Sequence, residues 1–216
     1  MTITYIGHAC FLVESDDGLR ILLDPFQPGA FGGRIGILPF KEKVDVVAST
    51  HSHADHYWMD PAFGDPEEIK GTGKAGGIEF MGLELPHGSE PGHAAGTVTG
   101  LRFEVDGITI FHPGDIGRHP TRPESDWITP LDLLLVPVGG TFTIGPAEAL
   151  RTIQTLKPAV AVPMHYRTPK VDIRIGPLDD FLRLVPNHVR APRQPVHLDK
   201  DKLPEPTRVL VMDPTH

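Results

Sequence analysis

The stretch "THSHADHY", Thr50–Tyr57, places three imidazoles and one carboxylate within positions 51 to 56. Histidine is the commonest metal ligand, and in an extended segment His-x-His sets two imidazoles on the same side. Asp55 and His56 add two more donors where the chain is expected to turn into a helix. One metal cannot easily use four side chains from so short a segment, because the backbone splays them. Two adjacent metals can share them, and their charge compensates the burial of polar groups as long as the imidazoles stay neutral. A solvated His-rich loop is the competing reading in a chain with 12 histidines. Scattering those residues at random would rarely produce His-x-His-x-Asp-His.

Upstream, "VDVVAST" (44–50) is a continuous apolar run of the kind found in strands buried on both faces. Before it come "TITYI", "CFLVE" and "LRILLD", the last two separated by Asp17-Gly18, a strong hairpin-turn signal. The second half repeats this order. "LRFEV" alternates, Asp106-Gly107 turns, "ITIFHPGD" ends at Asp115, and "LDLLLVPV" is another buried run. A helix is expected over "PAEALRTIQTLKP", with Pro146 in its first turn and Pro158 closing it. "AVAVPMHY" reads as the last buried strand, delivering His165, and "RVLVM" (208–212) is a short strand candidate in a Pro-rich, charged tail from Pro186. Asp115, His165 and the 51–56 cluster thus fall at strand C-terminal ends, the edge where such sheets bind ligands.

With 216 residues the chain is long enough for a sizeable core, and residues 1–216 are expected to form a single domain. A formal charge of −8 argues against nucleic-acid or anionic-membrane binding. Gly and Pro occur 23 times each, so many short elements joined by ordered turns are expected. The one cysteine, Cys10, reads as a small buried hydrophobe and allows no intrachain disulfide. The N-terminus has no basic leader, and no apolar run reaches the length of a membrane span, so a cytoplasmic setting is expected.

Asp115 follows a glycine that permits a tight turn, and its carboxylate can bridge two metals; His165 follows a buried strand. For one remaining ligand His87, directly after the strand "IEFMGLEL", competes with His93 in "EPGHAAG". "THSHADH", a later histidine, "GD" and "PMHY", in that order, resemble the metallo-β-lactamase superfamily. More narrowly, "YIGHACFLVE", "ILLDPF" and "VPVGGTFTIGPAEAL…KPAVAVPMHY" resemble its compact branch of metal-dependent hydrolases, which includes L-ascorbate-6-phosphate lactonase. The resemblance implies an α/β fold, a four-layer αββα sandwich with the metals at one edge. It implies His51, His53 and a third histidine around one metal, Asp55, His56 and His165 around the other, and Asp115 bridging. In that branch the third histidine comes straight off its strand with a glycine about nine residues later, which His87 and Gly96 match. "PGH" at His93 resembles the glyoxalase-II-like branch instead. The compact branch often has Asp and Arg where this chain has Gly88 and Ala95, which bears on the substrate and leaves the metals untouched.

Such a metal pair lowers the pKa of a bound water toward about 7 and polarises the attacked carbonyl or phosphoryl oxygen. The expected function is therefore a dinuclear metal-dependent hydrolase acting through metal-bound hydroxide on a small-molecule ester or lactone, with Asp55 as its catalytic carboxylate. An RNase Z-like phosphodiesterase and a non-catalytic metal-binding sensor are the alternatives. Five imidazoles and two carboxylates suit zinc, and Mn and Fe also accept such a set. No nucleic-acid or membrane partner is expected, and the resemblance favours a homo-oligomer. Asp24, His8, Tyr166, Thr141 and Thr143 are weaker site candidates, the loop 25–40 is a lid or a passive surface loop, and His112, His119, His188, His197 and His216 read as incidental.

Overall fold

A computed structural model of the chain describes residues 1–88 and 96–216. One sheet begins with β1 (Thr2–Gly7), β2 (Cys10–Glu14), β3 (Arg20–Leu23), β4 (Val46–Ala48) and β5 (Glu67–Ile69). The other contains β6 (Gly73–Ala75), β7 (Ile78–Pro86), β8 (Thr97–Val105), β9 (Ile108–His112), β10 (Leu133–Pro137) and β11 (Val160–Met164). The tail adds β12 (Val189–Arg190), β13 (Val196–His197) and β14 (Arg208–Val211). The orders are β13-β1-β2-β3-β4-β5 and β12-β14-β11-β10-β9-β8-β7-β6.

The repeat read from the sequence is present as sheet geometry. β2 and β3 pair antiparallel across Asp17-Gly18, and β3 then runs parallel to β4. β8 and β9 pair antiparallel across Asp106-Gly107, and β9 runs parallel to β10. "AVAVPMHY" is not the last buried strand, because β14 pairs parallel with β11 and is itself largely buried. Two tail segments also join the sheets, β13 against β1 and β12 against β14. Their two-residue length carries no periodicity to read.

Alternation along the first sheet separates two cores. Ile3, Tyr5, Phe11, Val13, Ile21, Leu23 and Val46 face the second sheet, while Leu12, Leu22 and Val47 face outward. Over the second sheet lie α2 (Arg122–Ile128), α3 (Pro146–Leu156) and α4 (Leu178–Leu182). Pro146 opens α3 and Lys157 ends it in a left-handed conformation ahead of Pro158. Over the first sheet the outer layer is mostly loop, because the prolines and glycines of residues 25–40 bar a regular helix. The loop buries Phe26, Ala30, Ile35, Ile37 and Phe40 against the sheet. Its one helical turn, α1 (Ala30–Gly33), contains Phe31 and Gly32 at φ 55° and 69°. Cys10 is buried on this outer face, and burial pushes its thiol well above the usual range. Among the described residues no helix is long and apolar enough to cross a membrane.

Candidate metal centre

Every strand that carries a candidate donor delivers it at its C-terminal end. Asp24 follows β3, His51 comes three residues after β4, His87 follows β7, Asp115 comes three after β9, and His165 follows β11. The helix expected to begin at Asp55-His56 is absent. The segment makes one turn, with the His56 and Tyr57 amides both donating to the His53 carbonyl at 2.9 Å. Pro61 holds Asp60 extended, at ψ 136°, so a helix beginning at Asp55-His56 could not run past Met59. Gly114, at φ 59°, brings Asp115 in tightly, since a Cβ there would lie 2.6 Å from the Thr50 hydroxyl.

Three histidines meet near the rim. His53 Nδ1 lies 3.0 Å from His51 Nε2 and 3.2 Å from His87 Nε2. Hydrogen bonds fix two of these rings. His87 Nδ1 donates to the Gly88 carbonyl, which leaves Nε2 a bare lone pair. The Thr50 hydroxyl donates to Asp24 Oδ2 at 2.7 Å, so it accepts from His51 Nδ1 at 3.0 Å, and His51 Nε2 is bare as well. Lone pairs therefore converge on one point, an arrangement that a cation relieves.

A deeper group combines His56, His165, Asp55 and His8, all buried. His56 Nδ1 donates to Asp24 Oδ2 at 2.7 Å, and the Thr50 amide donates to Asp24 Oδ1 at 2.7 Å. Asp24 thus fixes the tautomers of His51 and His56 together, a common outer-shell role for a carboxylate. Asp115 stands between the groups. Its Oδ1 is 3.1 Å from His56 Nε2, and its Oδ2 is 3.4 Å from His165 Nε2 and 3.7 Å from His87 Nε2. His56 Nε2, Asp115 Oδ1 and both ring nitrogens of His165 are buried without a hydrogen-bond partner. Buried polar atoms normally find one. His56 Nε2 and His165 Nε2 both face the Asp115 carboxylate, an arrangement that fits a divalent metal.

The electrostatics agree. Burial pushes His51 down to about 3 and His8 down to about 4. His53 is lowered too, by burial and then by His87. These imidazoles are neutral at neutral pH, the form that ligates metal. His56 differs, because burial is outweighed by the Asp115 and Asp55 carboxylates, which raise it well above the usual range. Burial opposes ionisation of Asp55 and Asp115, yet both lie below the usual carboxylate range. His56 and His8 hold Asp55 down, and His165 and His56 hold Asp115 down. The deep group demands positive charge.

A family model described as "Beta-lactamase superfamily domain" matches residues 2–165. The chain belongs to the metallo-β-lactamase superfamily. A UPF0173 metal-dependent hydrolase of Carboxydothermus hydrogenoformans is 32% identical over 209 residues, covering 83% of this chain and 91% of that protein. One from Thermococcus kodakarensis is 32% identical over 199 residues, covering 77% and 84%. A crystal structure from Thermotoga maritima, a candidate Zn-dependent hydrolase of the metallo-β-lactamase superfamily, has TM-score 0.74 and 33% identity over 98% of this chain and 97% of that one. The chain is a metal-dependent hydrolase of the metallo-β-lactamase superfamily.

In this metallo-β-lactamase-type centre His51, His53, Asp55, His56, His87, Asp115 and His165 come together, and His93 lies outside the described residues. His112, read as incidental, is fully buried beneath the site. Its Nε2 donates to the Ala9 carbonyl at 3.0 Å, and its Nδ1 accepts from the Gly114 amide at 3.1 Å. His119 instead contacts Thr152, and His188, His197 and His216 lie outside the centre. Over the metal edge opens a cavity of about 320 Å³ lined by Phe31, Arg34, His53, Asp55, His87, Asp115, Phe142, Ile173 and Arg174. Tyr166 is not among them. It is buried near Tyr5, and burial pushes it up to about 12. Thr143 donates to the Ile144 carbonyl, and Thr141 lines a neighbouring hollow. The sequence left the loop 25–40 open between a lid and a passive surface loop; its Phe31 and Arg34 line the cavity, and so does Ile173, which neither motif nor periodicity marks.

Proposed function

We propose that this hydrolase works with two divalent metal ions. His51, His53 and His87 hold one, Asp55, His56 and His165 hold the other, and Asp115 lies between them. The observation that carries this reading is Asp115, whose Oδ2 approaches His87 Nε2 at 3.7 Å and His165 Nε2 at 3.4 Å. When bound, such a pair supplies Lewis-acid polarisation and an activated water, and zinc suits the donor set best, with Mn and Fe alternatives.

The protein's own part is positioning. Asp24 holds His51 and His56 in the tautomers that leave Nε2 free. Asp55, on the cavity wall, orients the attacking water or relays its proton. Phe31, Phe142 and Ile173 give the cavity an apolar wall that limits water around the reacting carbonyl. That wall, and the resemblance to lactonase-like proteins, favour a small ester or lactone as substrate. The enzyme acts in the cytoplasm as a homo-oligomer, with no nucleic-acid or membrane partner.

Elemental analysis tests the centre. Two metals per chain are expected, falling to one in His87→Ala and staying at two in His93→Ala. A single metal in the unaltered protein, or no change in His87→Ala, would overturn the two-metal reading. Lactones and aryl esters are expected to be hydrolysed in preference to phosphodiesters; the reverse preference would move the substrate class to nucleic-acid-like diesters.

A further inference from the structure

The turn joining β1 to β2 brings one more imidazole to the deep group. His8 Nε2 lies 2.9 Å from Asp55 Oδ2, both side chains buried. It is the one hydrogen bond that Asp55 makes among the described residues. His56 Nε2 and His165 Nε2 stand farther from the same oxygen, at 3.6 and 3.9 Å. We propose that His8 is a positioning residue that donates its Nε2 proton to Asp55 and holds this carboxylate facing His56 and His165. The inference rests on the reading of Asp55 as a metal ligand.

Three features support it. An ionised carboxylate only accepts, so the nitrogen facing it carries the proton and has no lone pair to give a metal. This places His8 behind Asp55 and outside the ligand set. The backbone of His8 is left-handed, at φ 58°, a conformation that glycine or asparagine adopts at less cost. A histidine there bears that backbone cost while its ring meets Asp55. The backbone that carries the ring is also fixed from both sheets. The His8 carbonyl accepts from the Tyr5 hydroxyl at 2.9 Å and from the His165 amide at 2.7 Å, and the His8 and His165 rings lie 4.1 Å apart. One turn therefore sets Asp55 and the strand end that carries His165.

The test compares His8→Leu, which fills the space without a donor, with His8→Gln, whose amide nitrogen reaches a similar point and donates. Both place a side chain on the same left-handed backbone, so any strain is shared. The zinc-loaded full chain is titrated with a chelator, and zinc retained per chain is counted. His8→Leu is expected to release one of the two ions about 10–100-fold more readily, with kcat lowered and KM little changed, and His8→Gln to retain it to within about threefold of the unaltered protein. Equal loss in both variants would make the imidazole a ligand or a packing residue, and equal retention would make it dispensable; either overturns the proposal. Asp55→Ala is run alongside and is expected to release the same ion. If it releases none, the two-metal reading falls and the role of His8 with it. If it releases one, failure of the Leu–Gln contrast counts against His8 alone.

Discussion

His56 and His165 lie fully buried, with Asp24, Asp55 and Asp115 packed around them, whereas His53 is exposed at the rim of the cavity. Of the deep rings, His56 is held by a charged, buried partner, Asp24 at 2.7 Å, while His165 Nε2 faces the Asp115 carboxylate at 3.4 Å without a hydrogen bond. The rim rings rest on neutral neighbours, His51 on the Thr50 hydroxyl and His87 on the Gly88 carbonyl. Charge-assisted hydrogen bonds in a low dielectric are the stronger kind, and unpaired polar atoms there cost the most. One fold edge has thus built a rigid, charge-demanding pocket beside an open, neutral one. On the two-metal reading proposed above, the deep ion is expected to leave last on chelation, and the rim ion to exchange with solvent.

Asp115 joins the two, so it offers the strongest way to break the contrast. Asp115→Ala is expected to lower kcat/KM on the order of a thousandfold or more, since metal polarisation supplies several kcal/mol. Metal content should fall at both positions. Loss of the rim ion alone would show that the deep group stands without it. Asp24→Ala comes next. It leaves His56 Nδ1 and the Thr50 amide buried without partners, which is expected to cost about 3 kcal/mol in denaturant unfolding. The deep ion should weaken about 10–100-fold, with a smaller effect at the rim, where Asp24 acts only through Thr50. Equal weakening at both would erase the distinction.

Sequence and structure agree most where chemistry and strand ends coincide. The apolar runs before Asp24, His51, Asp115 and His165 are long enough to mark strands, and the order of the donors marks the centre. Asp24 was half-legible, as a strand-end carboxylate whose partner could not be named until Thr50 and His56 folded onto it. His112 was not legible at all. Its partners are the Ala9 carbonyl, more than a hundred residues away, and the Gly114 amide, and backbone partners of either kind leave no mark on a sequence. The helix expected from Asp55-His56 is a single turn instead, and the restriction that Pro61 places on Asp60 was a local rule that the sequence did carry. The covering loop over the first sheet follows from its glycines and prolines, but which of its side chains turn toward the cavity depends on left-handed residues such as Phe31.

Gly88 gives the finest test, because it separates the rim from the deep group through space alone. The compact hydrolase branch often carries Asp at this position, and here there is no room for one. A Cβ on Gly88 would lie 2.2 Å from the Phe142 carbonyl oxygen and 2.7 Å from the Thr143 amide nitrogen. Both are backbone atoms, which cannot swing aside as a side-chain tip can. Gly88 also supplies the carbonyl that orients His87, and its own amide donates to the Asp115 carbonyl at 2.9 Å. Gly88→Ala is therefore expected to cost about 1–3 kcal/mol in thermal or denaturant unfolding, the usual range for overpacking a filled site. Any displacement should reach His87 first, so the rim ion should loosen while the deep ion holds. Chelator titration of the variant reads both. Release of the deep ion first would mean that the two groups move as one body, and the difference in their burial would then say nothing about how they hold metal.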